Sequence, residues 1–438
     1  MKIVQLCGWY FPQSLGGTET YVAALAERLR AAGHELAIAA PDAGASVERT
    51  YEHEGIPVYR YPIAANPTRE EARHIVPVRG SERLHAWLHR LGPDVVHLHT
   101  FVTGVGPHEI RAARETGARV FATTHSAGLG LLCQRGTLMR WGSTPCHGRA
   151  TPGLCAACAL NAAGMPRPAA DLLGLMPPLV GGALGRLPGK VGTALGMRRF
   201  IANNLLEQRE CLRLLDGFIV LTEGARQMVV SQAGGHGRVS LNRLGVRGPI
   251  AAAKATSPRP ADRPLIAAYV GRFDPIKGVH DLARAVRSLG RTVPLRFEFR
   301  GPVSHAGELA VANELKAIVG PDAWVTFGAP LEPERVSAYL STIDLLCCPS
   351  RTFEGGPTVA LESMAVGTPV LGTQLGGLSE IITDGVNGRL VPPGDWRALA
   401  RALAGIAGDP GLLATWRRAI GPVRSMHQVA DDYLRLYR

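Results

Sequence analysis

The chain has 438 residues, a formal charge of +12 and 46% apolar residues. It is too long for one ordinary domain and too apolar to be disordered. Its basic balance suits nucleic acid, anionic lipid or a phosphorylated ligand. No stretch of about 18 or more apolar residues is free of charges and breakers. The nearest, "LLGLMPPLVGGALGRLPGKVGTALGM" from Leu172, is cut by Pro177, Pro178, Arg186, Pro188 and Lys190. A membrane span is therefore not expected. The opening "MKIVQLCGWYFPQ" has one lysine and no long apolar core, unlike a secretory leader. Eight cysteines in a chain of this length do not make a disulfide scaffold. The expected location is the cytoplasm.

The first forty residues read as strand, glycine turn, helix, strand. "KIVQLC" is a short buried strand and "PQSLGGTET" a loop of turn formers. "YVAALAERLRAAGH" places Val22, Leu25 and Leu29 at helical spacing and ends at Gly33. "ELAIAA", "DVVHLHT", "RVFATTH" and "GFIVLTE" continue the theme of short β-rich runs between helical segments. Such alternation predicts a parallel sheet flanked by helices. Glu19 reads as a first-turn acid favouring the helix dipole. His97 and His99 read as shaping the sheet edge.

Between these runs lies a segment of different character, about 130–210. It carries Cys133, Cys146, Cys155 and Cys158 with the spacing C-x12-C-x8-C-x2-C. The last pair has the spacing that a tetrahedral zinc knuckle uses. Four thiolates could clamp a Gly/Pro-rich loop that has no hydrophobic core of its own, with His147 as a substitute ligand. The same ligand count fits an iron–sulfur cluster, and redox disulfides or free thiols are further readings. A zinc ion here would be structural. The other cysteines, Cys7, Cys211, Cys347 and Cys348, read as small core residues.

Residues 126–215 hold ten Lys and Arg against three Asp and Glu, a surplus of seven within the total of twelve. Basic and apolar together, yet short of a span, this segment suggests a surface lying on an anionic membrane face. The bland reading is a buried helical hairpin with arginines at its rim. Nucleic acid is not the expected partner, because the basic residues are not interleaved with aromatics.

Residues 247–264, "RGPIAAAKATSPRPADRP", show no periodicity and read as a linker. The α/β alternation then restarts. "PLIAAYVGRFD", "LRFEFRGP", "DLLCCPS" and "PVLGT" are strands, and "GVHDLARAVRSLG", "RVSAYLSTI" and "GPTVALESMAVG" helices. The fold class is thus α/β, with two Rossmann-like, doubly wound parallel-sheet domains. Residues 1–246 form one and 265–418 the other, with a helix in 419–438 expected to cross back. Ligands of such sheets bind at the carboxyl ends of strands, so the expected site is a cleft between the two.

"SRTFEGGPTVALESM" holds Glu354 and Glu362 eight apart, with Gly355, Gly356 and Pro357 between. Proline belongs at the start of a helix and not inside it, so Glu354 lies in the loop and Glu362 in the helix. The glycines let the backbone approach a ligand, and the helix start offers free N–H groups and a positive dipole. "YVGRFDPIKG" adds Arg272 and Lys277, which suit a diphosphate. An acidic loop residue, an anion seat and a second carboxylate together suit a nucleotide sugar.

The pattern GR-x4-KG, then E-x7-E, then "GGLSEIITDGVNGRLVPPGD", resembles the retaining glycosyltransferases of family 4, which have the GT-B fold. "GGTET" is similar to that family's first glycine loop, and "DVVHLHT" and "TTHS" fall where its N-terminal strands fall. The resemblance implies roles residue by residue. Arg272 and Lys277 would hold the donor diphosphate, beside Gly355 and Gly356. Glu362 would bind the ribose, and Glu354 would contact the transferred sugar. Gly17 would bring a backbone N–H to the distal phosphate, and His125 would sit beside the sugar. Leu378, Ser379 and Glu380 would close near the base and ribose. The anomeric configuration would be kept, and no metal would be required for the chemistry. The resemblance and the basic insert together predict transfer of a hexose from a nucleoside-diphosphate sugar to a lipid-linked or surface-polysaccharide acceptor at the cytoplasmic membrane face. The rivals are a sugar-nucleotide epimerase of the same fold and a non-catalytic membrane-docking scaffold.

Overall fold

A computed structural model describes residues 1–14, 16–125, 133–233, 238–247, 259–321 and 324–438. The chain forms two compact units. Met1–Trp141, Cys146–Arg243 and Met426–Arg438 make the first, and Gly142–Pro145 with Leu244–Ser425 the second. Most of the expected linker, residues 248–258, lies outside the described residues. Its last part is not loose chain. Arg259 is buried, and its guanidinium donates to the carbonyls of Ala407 (2.6 Å) and Arg263.

The strands, in chain order, begin with β1 (Lys2–Leu6), β2 (Glu35–Ala43), β3 (Arg49–His53), β4 (Ile56–Ile63), β5 (Val95–Leu98) and β6 (Arg119–Thr123). Two-residue strands follow, β7 (Met139–Arg140) and β8 (Thr144–Pro145), and then β9 (Gly217–Val220) and β10 (Val239–Leu241). Among the described residues the first unit holds an eight-stranded sheet in the order β10-β9-β6-β5-β1-β2-β4-β3. It is parallel except for β3, which pairs antiparallel with β4 at the edge. The inner strands β5 and β9 are buried along their whole length, which is why they read as unbroken apolar runs. The β3–β4 hairpin escaped the sequence reading. It turns on Glu54 and Gly55, both at positive φ (50° and 71°), the geometry of a two-residue I′ turn. Glu in that turn gives a weaker signal than Asn or Asp.

The last helix, Met426–Leu436, packs in the first unit against the helix Gly17–Ala31. Its attachment is polar as well as apolar. The Tyr433 hydroxyl meets the Tyr21 hydroxyl at 2.9 Å and Thr123 Oγ1 at 2.8 Å. Just after the helix, the Tyr437 hydroxyl contacts His97 Nδ1, and Arg119 donates to the Tyr437 carbonyl at 2.8 Å.

The second unit carries β11 (Leu265–Val270), β12 (Leu295–Arg300), β13 (Val325–Gly328), β14 (Leu345–Cys348), β15 (Val370–Thr373) and β16 (Gly388–Val391). They form one parallel sheet in the order β13-β12-β11-β14-β15-β16. Side chains alternate between two cores. Ala267 and Tyr269 enter one with Phe297, Leu403 and Trp416, while Ala268 enters the other with Leu346, Ala360 and Met364. The chain winds outward in both directions from the β11–β14 pair. In a doubly wound sheet that reversal opens a crevice at the strands' carboxyl ends.

The Tyr433 hydroxyl lies between two buried partners from different elements. Tyr433→Phe is expected to lower the stability of the first unit by about 1–2 kcal/mol. A urea unfolding midpoint with an unchanged slope checks this.

Candidate functional site

In the second unit, the loops leaving β11 and β14 carry the residues that the sequence singled out. After β11 the chain turns at Gly271, whose φ is +156°, and the Tyr269 hydroxyl donates to the Arg272 carbonyl at 2.6 Å. Asp274 caps a short 3-10 turn, Pro275–Lys277, by accepting from the Ile276 N–H. Gly278 then takes φ +72°, where a Cβ would lie 1.8 Å from the Pro349 carbonyl oxygen. Only glycine lets these two loops touch there, and the Arg351 N–H to Ile276 carbonyl bond (2.8 Å) reinforces the contact.

Lys277 and Glu354, far apart in sequence, form an ion pair of 2.8 Å with both side chains largely buried. Glu354 Oε1 also accepts from the Ser350 hydroxyl at 2.7 Å. Ser350 is held in turn, its carbonyl accepting from Thr373 Oγ1 at 2.7 Å. Arg272 is exposed, and among the described residues its guanidinium makes no hydrogen bond or ion pair. Arg272 and Glu354 both act electrostatically on the buried Tyr269 hydroxyl, which places them around one point.

Gly356, at φ +115°, leads into the helix Thr358–Ala365. Pro357 caps that helix and does not occupy its first turn. The Glu354–Gly356 loop lies directly on a second loop. The Gly377 N–H donates to the Glu354 carbonyl at 2.8 Å. A Cβ on Gly376 would meet that carbonyl oxygen at 2.6 Å, and one on Gly377 would meet the Gly356 nitrogen at 2.5 Å. Gly377 begins the short helix Leu378–Ile381. The Leu378 side chain is buried in the core, so its contacts with a ligand could come only from backbone. Ser379 N–H donates to the Gly376 carbonyl at 3.1 Å.

Glu362 is half-buried on the second turn of its helix, and burial pushes its carboxyl up to about 7. Among the described residues its carboxylate has no hydrogen-bond partner. An unpaired carboxylate in a desolvated place favours a ligand that donates hydroxyl hydrogen bonds.

Gly17 and His125 belong to the first unit. Gly17 starts a helix, is exposed, and would leave an added Cβ in open space. His125 follows β6 and its Nε2 meets His99 Nδ1 at 3.1 Å. Burial lowers its pKa to about 3, so it is neutral at physiological pH. His99 reaches Gln5 Oε1 at 2.5 Å, and burial holds both His97 and His99 well below their ordinary value. They are interior members of a polar array and not a sheet rim. Glu19 is buried and accepts from the Ser14 hydroxyl at 2.5 Å, a loop anchor as well as a first-turn acid.

Cys133, Cys146, Cys155 and Cys158, with His147, line one cavity of about 60 Å³ in the first unit. All four thiols are free, and Cys7, Cys211, Cys347 and Cys348 are buried as expected. Burial pushes the Cys155 thiol up to about 11, and the charges of Cys133, Cys146 and Cys158 add to that effect. Among the described residues no group of three or more His, Cys, Asp or Glu is arranged, as it stands, to hold a metal ion. The insert is not coreless. Ala156, Ala157, Leu160, Ala170, Phe200 and Ile201 pack together, with Trp141 from the cysteine loop against them.

Sequence reasoning missed Ser350, Thr373 and the bidentate Arg351–Asp281 pair (2.5 and 2.6 Å), which ties the β14 loop to the helix Val279–Leu289. Isolated serines, threonines and charge pairs carry no spacing signal, so nothing in the chain marked them.

Comparison with known proteins agrees with this geometry. Two parallel-sheet domains match the GT-B fold, and the family models and relatives make the protein a nucleotide-sugar-dependent glycosyltransferase. The family model described as Glycosyltransferase Family 4 matches residues 15–246, and that of Glycosyl transferases group 1 matches 252–420. The chain belongs to glycosyltransferase family 4, and the epimerase and scaffold readings fall away. The D-inositol 3-phosphate glycosyltransferase of Streptomyces avermitilis is 30% identical over 92% of this chain and 78% of its own length. That of Streptomyces scabiei is 28% identical over 91% and 80%. Among solved structures, sucrose-phosphate synthase from Thermosynechococcus elongatus superposes with a TM-score of 0.67 at 21% identity, covering 100% of this chain and 98% of that one. HepE from Anabaena in complex with UDP and glucose gives 0.61 at 16%, covering 99% and 98%. At these identities the two structures show the shared fold.

The pKa of Glu362 implies a pH-dependent stability. A carboxyl raised from 4.5 to about 7 contributes fully below its unfolded pKa and loses that contribution as pH rises through 7. Between about pH 5 and about pH 8 the wild type should lose roughly 1–3 kcal/mol relative to Glu362→Gln. Melting both proteins across that range checks the sign.

Proposed function

We propose that this enzyme transfers a hexose, with retention, from a nucleoside-diphosphate sugar to an acceptor presented at an anionic membrane surface. Arg272 and Lys277 neutralise the donor diphosphate, and the start of the helix Thr358–Ala365 adds its N–H groups and dipole. Glu354 serves two purposes, holding Lys277 and touching the sugar. Glu362 accepts from the ribose hydroxyls. In the transfer, the bond from the anomeric carbon to the β-phosphate oxygen breaks, and the acceptor oxygen bonds that carbon on the same face. The acceptor's proton passes to the departing phosphate. Neutral His125 hydrogen-bonds the sugar without adding charge, and the Gly17 N–H meets the distal phosphate.

The observation that carries the donor half is the Lys277–Glu354 pair seated beside a partnerless Arg272 at the β11–β14 switch point. Arg272→Ala should weaken binding of UDP-glucose, or of whichever nucleotide sugar raises the melting temperature in a screen, by roughly 10–100-fold. Gly17→Ala has room for its methyl group, so it should fold normally while turnover falls. Calorimetry and a nucleoside-diphosphate release assay read both. Wild-type binding in Arg272→Ala would remove the reading.

The acceptor half rests on the helical insert. Leu172, Leu175, Leu179 and Val191 are 71%, 74%, 82% and 64% exposed on or directly after three short helices, Arg167–Gly174, Pro178–Leu184 and Gly189–Leu195. No Asp or Glu occurs from 172 to 206, while Arg186, Lys190 and Arg199 are exposed. No helix among the described residues is long and apolar enough to cross a membrane. Apolar side chains beside unopposed basic ones suit insertion into the headgroup region of an anionic bilayer. The relatives' name favours a second acceptor, a free phosphorylated polyol. Flotation with phosphatidylglycerol vesicles separates the two. The membrane reading expects binding that falls with salt and is lost in Leu175→Asp/Leu179→Asp, with donor affinity unchanged. No vesicle binding, with transfer to inositol 3-phosphate, would establish the second.

A further inference from the structure

The four cysteines of the insert play no part in the transfer reaction, yet three separated stretches of chain bring them to one cavity. Cys133 opens a tight turn. Its carbonyl accepts from the Gly136 N–H at 2.9 Å, and Gly136 takes φ +78°. Cys146 is fixed by its own N–H donating to the Leu138 carbonyl at 2.8 Å. Cys155 and Cys158 lie three apart on the helix Pro152–Ala162, hence on one face. Donors already point at one sulfur. The Trp141 N–H lies 3.4 Å from Cys158 Sγ, and Arg135 reaches the same sulfur at 4.0 Å while donating to the Cys158 carbonyl at 3.2 Å. A backbone N–H and a guanidinium beside a sulfur are the kind of outer partners that metal-ligating thiolates carry.

We propose that Cys133, Cys146, Cys155 and Cys158 bind one structural zinc ion that clamps the 133–151 loop onto the helix Pro152–Ala162. As placed, the thiols do not converge tightly enough to hold an ion. They line a space of about 60 Å³, and binding an ion requires their side chains to turn inward into it. Four soft thiolates and no carboxylate in the lining favour zinc over magnesium or calcium. A closed set of four protein ligands leaves no open position for substrate, so the ion is structural. The loop is otherwise held by buried Leu138 and Met139, by Trp141 stacked under Arg167 at 4.6 Å, and by hydrogen bonds, and an ion would add a crosslink between it and the helix. The inference stands apart from the acceptor and donor readings, because neither uses these residues.

The test is elemental analysis of the full chain, purified under reducing conditions without added metal, together with thermal melting. The expected result is about one zinc per chain, lost in Cys155→Ser. Chelation should lower the melting temperature by at least about 5 °C, and added zinc should restore it. Should the serine variant fail to fold, zinc released on denaturing the wild type is counted instead, with the four thiols becoming reactive only after release. Three results would overturn the proposal. These are iron with a visible absorption band, a disulfide within the set found by mass spectrometry of the native protein, or four freely reactive thiols with no zinc bound.

Discussion

The loop set of the second unit depends on one backbone-to-backbone contact, the Glu354–Gly356 loop lying on Gly376 and Gly377. No side chain fits in that contact, since a methyl group on either Gly376 or Gly377 would come within 2.6 Å of main-chain atoms opposite. The contact fixes the Glu354 carbonyl through the Gly377 N–H, and so fixes where the Glu354 carboxylate can reach. That carboxylate holds Lys277, whose own loop is pressed against Pro349 through Gly278. Three loops leaving different strands are thereby locked to one another by glycines, and the charges they carry inherit that rigidity. A diphosphate recognised by a few cations gains from such preorganisation, because little ordering remains to be done when it binds.

The first unit solves a different problem. Its interior holds Gln5, His97, His99, Thr123, Tyr21 and Tyr433, with Tyr437 closing the set, and burial holds both histidines well below their ordinary value. Their burial is offset by the bonds they make to one another across β1, β5, β6 and the last helix, although among the described residues Gln5 Nε2 is left without a hydrogen-bond partner. The array orients His99, and His99 orients His125 at the carboxyl end of β6. The neutrality of His125 thus follows from the same packing that attaches the C-terminal helix. Where the second unit relies on charge near the surface, the first relies on hydrogen-bonded polarity in the interior.

Much of this architecture was legible from the chain. Most inner strands of both sheets announced themselves as short apolar runs, because parallel strands are covered on both faces, whereas β10, β13 and β16 did not stand out. Glu354, Gly355, Gly356 and Glu362 were legible because proline and glycine restrict backbone so strongly that their spacing implies a loop followed by a helix. The β3–β4 hairpin was not, since Glu54–Gly55 is a poor turn signal and β3 sits at the sheet edge. Ser350 and Thr373 were invisible for another reason. Their roles are set by which strands become neighbours, and neighbour relations between β14 and β15 are a property of the folded sheet. The pairing of Lys277 with Glu354 is likewise absent from any local pattern, although each residue stood out alone.

The insert shows how a segment can be ordered and still fail the ordinary rule that large apolar side chains go inside. Its core is built of alanines with Leu160, Met197, Phe200 and Ile201, and glycines let its helices approach closely. At Gly185 an added Cβ would come within 2.9 Å of the Gly196 Cα. Helices that pack through small residues turn their large ones outward, as Leu172, Leu175 and Leu179 are turned. In water such an arrangement forgoes burial that a rearranged sequence could gain, so its retention makes physical sense where the outward face meets something other than water. A segment that gains so little from its own core also has the most to gain from a crosslink, and the cysteines sit where the loop joins the first of its helices.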